Sequence, residues 1–157
     1  MDNKTDLRIV ARLREDSRMS LTKISRETGI PVSTIFEKVK KKAGDIVKRN
    51  TCLLDFSKIG MNTRANVTLR TVPEHRHELR TFLEKNRNVN SLFKINNGYD
   101  YMVDVVFSNM KELEDFLEIL EGRFKIKSKH VFYVIEEIAQ ERFLNNTLLF
   151  DIDRTAC

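Results

Sequence analysis

The segment Gly29-Ile30-Pro31 constrains the fold of this chain more than any other short stretch of its sequence. It interrupts the helical pattern of LTKISRETGIPVSTIFEKVKKK, which runs from Leu21 to Lys42. Glycine commonly ends a helix because it adopts a positive φ without strain, and proline suits the first turn of the next helix. Two helices joined by such a short turn are the sequence outline of a helix-turn-helix motif.

Apolar residues at helical spacing predict which faces of these helices are buried. Residues 5–16 predict one more helix ahead of the pair, with Thr5 or Asp6 as its N-cap. The predicted buried stripe of the third helix consists of Val32, Ile35, Phe36, Val39 and Ala43. The opposite face then carries Ser33, Thr34, Glu37, Lys38 and Lys41, with Lys40 and Lys42 beside it.

Strand patterns dominate the rest of the chain. Residues 45–60 contain β-branched and apolar residues and predict a wing strand followed by a connector. Beyond them the order is β-α-β-β-α-β, and Asn97-Gly98 predicts a tight hairpin turn. This order is typical of an α+β fold with two helices on one face of an antiparallel sheet. The predicted elements occupy residues 63–72, 73–86, 89–96, 99–108, 109–122 and 126–138.

Positive charge is concentrated in the first third of the chain. Residues 1–50 hold 13 Lys and Arg against 7 Asp and Glu, which is a net charge of +6. Residues 51–157 hold 15 basic and 16 acidic residues, which is a net charge of −1. Such asymmetry favours a polyanion as partner of the N-terminal segment. Lysines alone are weaker evidence, because cations also suit the C-terminal end of any helix dipole.

The paired helices, the glycine turn and the basic segment together predict binding to double-stranded DNA. In a helix-turn-helix protein, short polar side chains of the second helix reach base edges in the major groove, and lysines neutralise phosphates. We therefore expect DNA contacts from Ser33, Thr34, Glu37, Lys38, Lys40, Lys41 and Lys42. The predicted basic surface is widened by Lys23, Arg26, Lys48 and Arg49, and by Arg8 and Arg12.

Three stretches follow one another along the chain: RIVARLREDSRMSLTKISRETGIPVSTIFEKVKK, IVKRNTCLLDFSKIG and NGYDYMVDV. In this order and spacing they resemble the Lrp/AsnC family of prokaryotic transcription regulators, over roughly residues 5–140. The resemblance implies a winged helix-turn-helix, a β connector and a ferredoxin-like βαββαβ domain (the RAM domain). It also implies a homodimer or a higher homo-oligomer, such as an octamer, that binds palindromic DNA and responds to an amino acid or another small molecule.

The resemblance also divides the chain into four parts. Residues 1–50 are expected to form the winged helix-turn-helix, and residues 51–61 the β connector or hinge. Residues 62–140 are expected to form the RAM domain for effector binding and oligomerisation, and residues 141–157 a C-terminal tail. The tail has apolar residues that must pack on their own chain or on a partner: Phe143, Leu144, Leu148, Leu149, Phe150 and Ile152.

An effector site is implied by the turn Gly98-Tyr99-Asp100, which resembles the effector-binding loop of the family. Many members also have a threonine near the start of the last strand, where this chain offers His130 or Val131. No cofactor other than such an effector is expected. The sequence departs from the family in KKKAGDIV, which is one residue shorter than usual and has Lys42 in place of a buried leucine.

Two other functions are compatible with the same scaffold. Siroheme decarboxylases share it, but VNSLFKINNGYDY lacks the histidine that those enzymes carry at this strand. A DNA-architectural oligomer would use the same basic helix. We predict a regulator and not an enzyme, with no catalytic and no metal-binding residues, because His75 and His77 diverge on a helix and lack a third ligand.

Sequence features that mark secretion or membrane insertion are missing. No run of about 18 apolar residues is present, and MDNKTDLRIV has no apolar region after a basic start. The two cysteines, Cys52 and Cys157, do not form a disulfide framework. We therefore expect a cytoplasmic protein with no membrane partner.

Overall fold

The fold is taken from a computed structural model in which residues 3–42 and 46–145 are described, Asn3 and Lys42 by their backbone only. The predicted roles of Ala43, Gly44 and the tail beyond Asn145 lie outside the described residues. The chain divides into two compact units. One contains the described residues up to Leu53 together with those from Ile138 onward, and the other is Leu54–Glu137.

The first unit contains the three predicted helices. They are α1 (Asn3–Glu15), α2 (Leu21–Thr28) and α3 (Val32–Lys42). Their shared core consists of Ile9, Met19, Ile24, Ile30 and Ile35, with Leu13, Leu21 and Val39 packed against it. The predicted N-cap at Thr5 or Asp6 is wrong, because α1 already begins at Asn3 and both residues lie inside it.

The predicted wing strand and β connector are not formed by the described residues 46–62. Their only regular structure is one turn of 3-10 helix at Ser57–Ile59, which ends at Gly60 with a φ of 80°. Backbone hydrogen bonds of this segment close local turns between Asp55 and Met61. A strand needs a neighbouring strand to pair its backbone groups, and apolar composition alone does not supply one. The predicted wing strand and β connector are therefore wrong for these residues.

The start of the predicted C-terminal tail packs on α1 within the first unit. Arg14 Nε donates to the carbonyl oxygen of Phe143 at 2.7 Å. Its Nη2 donates to the carbonyl oxygen of Glu141 at 2.9 Å and to Glu141 Oε2 at 2.7 Å. Three hydrogen bonds from one guanidinium explain why residues 141–143 belong to the helical unit, although they follow the last strand in sequence.

The second unit contains four strands and two helices in the predicted β-α-β-β-α-β order. They are β1 (Thr63–Thr71), α4 (Arg76–Lys85), β2 (Val89–Lys94), β3 (Tyr101–Phe107), α5 (Met110–Phe124) and β4 (Ile126–Tyr133). A 3-10 turn at Pro73–His75 leads into α4. The Asn109 side chain caps α5 by accepting from Glu112 N. The last strand ends at Tyr133, earlier than the alternation of the sequence predicted.

The four strands form one antiparallel sheet in the order β2-β3-β1-β4. In its centre, Val67 lies opposite Val103 on one side and Val131 on the other. This order, with both crossovers made by helices, is the ferredoxin-like arrangement that the sequence predicted.

The two faces of the sheet differ in what covers them. Val67, Val103 and their alternate neighbours pack against α4 and α5, where Leu83, Leu117 and Phe124 are buried. The opposite face, which we call the open face, carries the cross-strand pair of Phe93 on β2 and Met102 on β3, and Phe132 on β4, with β1 between β3 and β4. Phe93 is 50% exposed and Phe132 is 58% exposed. Among the described residues of the second unit, no helix or strand forms a second layer over the open face.

One polar cluster is built into the open face. Arg64 Nε and Nη2 donate to the two carboxylate oxygens of Asp104, both at 2.9 Å. Asn90 Nδ2 adds a hydrogen bond to Asp104 Oδ2 at 2.7 Å. The guanidinium also lies 5.4 Å from the ring centroid of Phe56 and pairs with Glu137. The hydrogen bonds to Asp104 raise the pKa of Arg64 above its ordinary value.

We expect Arg64→Ala to destabilise the second unit strongly, because it removes the bidentate partner of a buried carboxylate. Breaking such a pair by removing one member costs about 3–5 kcal/mol of unfolding free energy. Arg70→Ala is the matched control: Arg70 lies on the same strand and face but is exposed, and its removal is expected to change stability by about 0.5 kcal/mol or less. Urea denaturation measures both, and equal effects would contradict the role assigned to Arg64.

Candidate functional sites

The turn between α2 and α3 sets the direction of α3. Ser20 caps α2, since its Oγ accepts a hydrogen bond from Lys23 N at 3.2 Å. The helix ends at Gly29 with a φ of 70°, and the Gly29 amide donates to Ser25 O at 2.8 Å. A residue with a Cβ is strained at this φ. Pro31 then starts α3, with its carbonyl accepting from Ile35 N at 3.0 Å.

The structure corrects which face of α3 is buried. Ile35 is fully buried and Val39 packs partly against the core, as predicted. Val32 and Phe36 were predicted to belong to the same stripe, but they are 41% and 51% exposed. An α-helix turns by about 100° per residue, so the five predicted positions span an arc of only about 100°. The buried sector is shifted from this arc towards Lys38, which leaves Val32 and Phe36 on the exposed side. The core accommodates the sector centred on Ile35.

Lys38 lies on the inner flank of α3 and not on its outer face. Its Nζ pairs with Asp6 Oδ1 of α1 at 2.8 Å, and the Asp6 side chain is only 2% exposed. A lysine in this position buries its aliphatic stem along the core while its ammonium neutralises a buried carboxylate. Among the predicted DNA contacts, Lys38 is therefore engaged in holding α3 against α1.

The other predicted DNA contacts are distributed over the surface of the first unit. Ser33, Glu37, Lys40 and Lys41 are exposed on the outer side of α3, and Thr34 is half-buried on its flank. Lys23 and Arg26 are exposed on α2, and Lys48 and Arg49 are exposed in the irregular segment after α3. The Lys42 side chain lies outside the described residues.

Two further arginines of the predicted basic surface are engaged inside the helical unit. Arg8 Nη2 donates to the carbonyl oxygen of Thr28 at 2.8 Å, near the C-terminal end of α2. Arg12 pairs with Glu15 at 2.8 Å and lies 3.6 Å from Glu27. The carboxylates of Glu15 and Glu27 balance the charge of Arg12, whereas Arg8 is held by a neutral carbonyl. On the described outer face of α3, the exposed cations are Lys40 and Lys41.

The predicted effector turn has the backbone geometry that its sequence requires. Asn97 and Gly98 both have positive φ, 58° and 83°, as a type I′ hairpin turn demands. The turn is closed by a hydrogen bond from Tyr99 N to Asn96 O at 3.3 Å. It connects β2 to β3, whose residues Lys94 and Tyr101 are directly paired.

Asp100 anchors this turn to the body of the second unit. Its amide donates to Leu69 O at 2.9 Å, and its Oδ2 accepts from Thr71 N at 2.8 Å. Arg76 Nε, at the start of α4, lies 2.7 Å from Asp100 Oδ1. Both carboxylate oxygens are thus used inside the fold, and Asp100 acts as a positioning residue for the neighbouring Tyr99.

Tyr99 meets residues from the last strand. Its ring lies edge-on to the ring of His130, with centroids 5.5 Å apart, and its hydroxyl is 3.5 Å from Ser128 Oγ. Val131 points to the other face of β4, where it packs against the core beside Val67. Of the two predicted β4 candidates, His130 is therefore the one that reaches the effector turn.

The sequence prediction missed Ser128 and Arg76. Strand alternation contains the signal for Ser128, since Ser128, His130 and Phe132 are spaced by two residues and must share one face of β4. His130 and Phe132 indeed lie with ring centroids 6.2 Å apart. No comparable signal exists for Arg76, because its contact with Asp100 joins residues that are far apart in sequence.

Residues 3–42 and 46–145 contain neither a metal-binding cluster nor a membrane-spanning helix. Nowhere in these ranges do three His, Cys, Asp or Glu side chains come together as a metal site. None of the helices there has both the length and the hydropathy needed to cross a bilayer.

Comparison with known proteins gives a consistent result for both parts of the chain. The sequence profile of the AsnC-type helix-turn-helix domain matches residues 3–41, and that of the Lrp/AsnC ligand binding domain matches residues 64–144. The HTH-type transcriptional regulator FL11 of Pyrococcus horikoshii is 24% identical over 135 residues, which cover 85% of this chain and 89% of FL11. An HTH-type transcriptional regulator of Pyrococcus furiosus is 30% identical over 118 residues, covering 74% of this chain and 80% of the relative.

A solved structure shows the same fold. The crystal structure of a transcriptional regulator from Neisseria meningitidis in complex with L-Met superposes with a TM-score of 0.80 at 19% identity, and it covers 89% of this chain and 93% of that one. The matched profile of the ligand binding domain alone spans more than half of the sequence. With its helix-turn-helix, its antiparallel α+β domain and its relatives, this chain belongs to the Lrp/AsnC family of transcription regulators.

Proposed function

We propose that this protein regulates transcription as a homo-oligomer that binds double-stranded DNA through α3 and is modulated by an amino acid held beside Tyr99. A regulator of this kind acts in the cytoplasm, where a prokaryotic chromosome lies. The observation that carries the proposal is the outer face of α3, where Ser33, Glu37, Lys40 and Lys41 are all exposed.

The case for DNA rests on charge and on position along the helix. Ser33 lies in the first turn of α3 and Glu37 at its middle, and the N-terminal residues of a recognition helix contact base edges. Lys40 and Lys41 lie nearer its C-terminal end and can neutralise phosphates without reading sequence. Net charge of +6 in residues 1–50 adds a long-range attraction to the same polyanion.

The case for an amino-acid effector rests on the cluster of Tyr99, Ser128 and His130 in the second unit. These side chains present a hydroxyl pair and an imidazole beside an anchored turn, and such groups suit the ammonium and carboxylate of an amino acid. The relative from Neisseria meningitidis was solved with L-Met. We place the effector at this cluster, between neighbouring copies of the second unit.

The case for a homodimer, and for a higher homo-oligomer such as an octamer, rests on the open face of the sheet. Phe93 and Met102 form an apolar patch on two adjacent strands, and Phe132 is exposed on the same face on β4, across β1. A second layer would bury these side chains. A three-helix unit of about 50 residues also buries little core by itself, so association adds stability. A two-fold dimer further fits palindromic DNA sites.

We assign the protein no catalytic role. Its relatives are transcription regulators. The strand and turn VNSLFKINNGYDY contain no histidine, in contrast to the siroheme decarboxylases that share the scaffold.

Electrophoretic mobility shift with duplexes from its own promoter region, at several salt concentrations, tests DNA binding. We expect Lys41→Ala to weaken binding to all sequences alike and to reduce the slope of log affinity against log salt by about 1, because one phosphate contact is lost. Ser33→Ala is expected to change the preferred sequence instead. The matched control is Lys111→Ala, which removes an exposed lysine of α5 and should alter neither property.

A change of preferred sequence alone in Lys41→Ala would contradict its role as a phosphate contact. Footprinting of the same complexes adds a second readout. A discrete protected palindrome is expected of a regulator, whereas continuous coverage of the duplex would indicate an architectural protein.

A thermal-shift screen with the twenty amino acids tests the effector site. A binding amino acid at 100 times its Kd is expected to stabilise the protein by about 2.7 kcal/mol and to raise the unfolding temperature. His130→Ala should abolish this shift. Tyr133→Phe, which changes an aromatic residue on the other face of β4, should keep it. An unchanged shift in His130→Ala would place the effector elsewhere.

Size-exclusion chromatography with light scattering tests the open face as the dimer contact. Phe93→Asp places a charge in the apolar patch and is expected to reduce the mass to that of one chain, since burying a charge without a partner is unfavourable. Ile119→Asp is the control, because Ile119 is equally apolar and exposed on α5, on the helical side of the sheet. A dimer that survives Phe93→Asp and dissociates with Ile119→Asp would reverse the assignment.

A further inference from the structure

The exposed face of α3 carries two apolar side chains that the helical core does not explain. Val32 is 41% exposed and Phe36 is 51% exposed, one turn apart. Ile35, between them in sequence, is fully buried, so the rotation of the helix about its axis is well defined. An exposed phenyl ring beside an exposed valine on a short, otherwise polar helix face indicates a surface that is covered by a partner.

Residues four apart follow one another along a helix surface, and the outer face of α3 consists of two such rows. One row is Val32, Phe36 and Lys40, and the other is Ser33, Glu37 and Lys41. Each row therefore starts with groups suited to base edges and ends with a cation. Lys40 Nζ lies 5.9 Å from the centroid of the Phe36 ring, so charge and apolar surface are adjacent.

We propose that Val32 and Phe36 read thymine by packing against the C5-methyl groups that thymine presents in the major groove of DNA. This inference rests on the proposed DNA binding through α3 and adds the chemistry of the bases it selects. The C5-methyl group is the apolar feature of the major groove, and a side chain that contacts it distinguishes a T·A pair from the others.

Charge complementarity decides between DNA and a second protein as the occupant. A protein surface that covers Phe36 would also have to desolvate the adjacent ammonium of Lys40, which is unfavourable without a matching carboxylate. A DNA duplex offers both an apolar contact for Phe36 and negative charge for Lys40, because thymine methyl groups lie in the major groove and phosphates line its edges. Phosphates of the same DNA backbone would also neutralise the neighbouring ammonium of Lys41.

Glu37 completes the predicted specificity. Its carboxylate is exposed in the second row, one turn after Ser33, and a carboxylate accepts a hydrogen bond from the amino group of cytosine. The same charge repels phosphates, so it favours a position over the bases and not over the backbone. We therefore expect recognition sites in which thymine and cytosine lie close together on the strands that α3 contacts.

The test uses duplexes recovered with the wild-type full chain from a randomised pool, with each thymine replaced in turn by deoxyuridine. This replacement removes one methyl group and leaves every hydrogen-bonding group unchanged. We expect one or more positions in each half-site at which the wild type loses about fourfold in affinity, which corresponds to about 0.8 kcal/mol for a buried methyl group. Phe36→Ala should bind the thymine and deoxyuridine duplexes equally at one of these positions.

Two further variants complete the experiment, one as a second test and one as a control. Val32→Ala should lose discrimination at a different thymine, which provides a second route if Phe36→Ala fails to fold. Ile119→Ala removes an equally exposed apolar side chain on α5 and should retain the full wild-type discrimination. Circular dichroism confirms that the variants unfold at the wild-type temperature, as expected for exposed side chains.

The outcomes separate this inference from the proposed function. If the wild type binds no duplex in a salt-dependent manner, DNA binding itself is wrong and the inference falls with it. If it binds but no deoxyuridine replacement weakens binding, DNA binding stands and thymine reading is overturned. Thymine reading is also overturned if Phe36→Ala and Val32→Ala both still distinguish thymine from deoxyuridine duplexes. It is overturned as well if Phe36→Ala retains this discrimination and instead lowers the mass of the oligomer.

Discussion

The ion pair between Lys38 and Asp6, together with the burial of Ile35, determines how α3 is rotated about its axis. Asp6 is almost completely buried, and the lysine that neutralises it stands on α3 at 2.8 Å. Turning α3 by one residue, about 100°, would remove Ile35 from the core and separate the two charges. This constraint also determines the outer face of α3, because the residues that do not pack on α1 and α2 must face solvent or a partner.

The same principle organises the second unit. Asp100 accepts from the amide of Thr71 and pairs with Arg76, which holds the turn after β2 against the end of β1. Tyr99 is thereby kept next to His130 and Ser128 of β4, although about 30 residues separate them in sequence. In both units, a buried or half-buried carboxylate positions its neighbours and leaves the recognition surface to other residues. Charge that looks functional in the sequence can therefore be structural in the fold.

Prediction from the sequence succeeded where a single local pattern was sufficient. The glycine turn before α3, the β-α-β-β-α-β order and the type I′ turn at Asn97-Gly98 each depend on residues that are adjacent in the chain. Prediction failed where the outcome depended on a neighbour that sequence does not name. The described residues 46–62 form no wing strand. Lys38 was placed on the outer face of α3 because Asp6, 32 residues away, could not be recognised as its partner.

The sequence by itself determined the two-part architecture, the antiparallel α+β domain and the helix-turn-helix outline, since periodicity, turn residues and charge asymmetry are local or additive properties. Only the tertiary structure decided which side of α3 is free, which of His130 and Val131 meets Tyr99, and that Val32 and Phe36 point outward. The apolar stripe of α3 has several positions, and the core of the first unit buries those nearest Ile35 but not Val32 and Phe36. The choice among these positions is made by packing and by a single long-range ion pair, and neither is encoded in any short stretch of the chain.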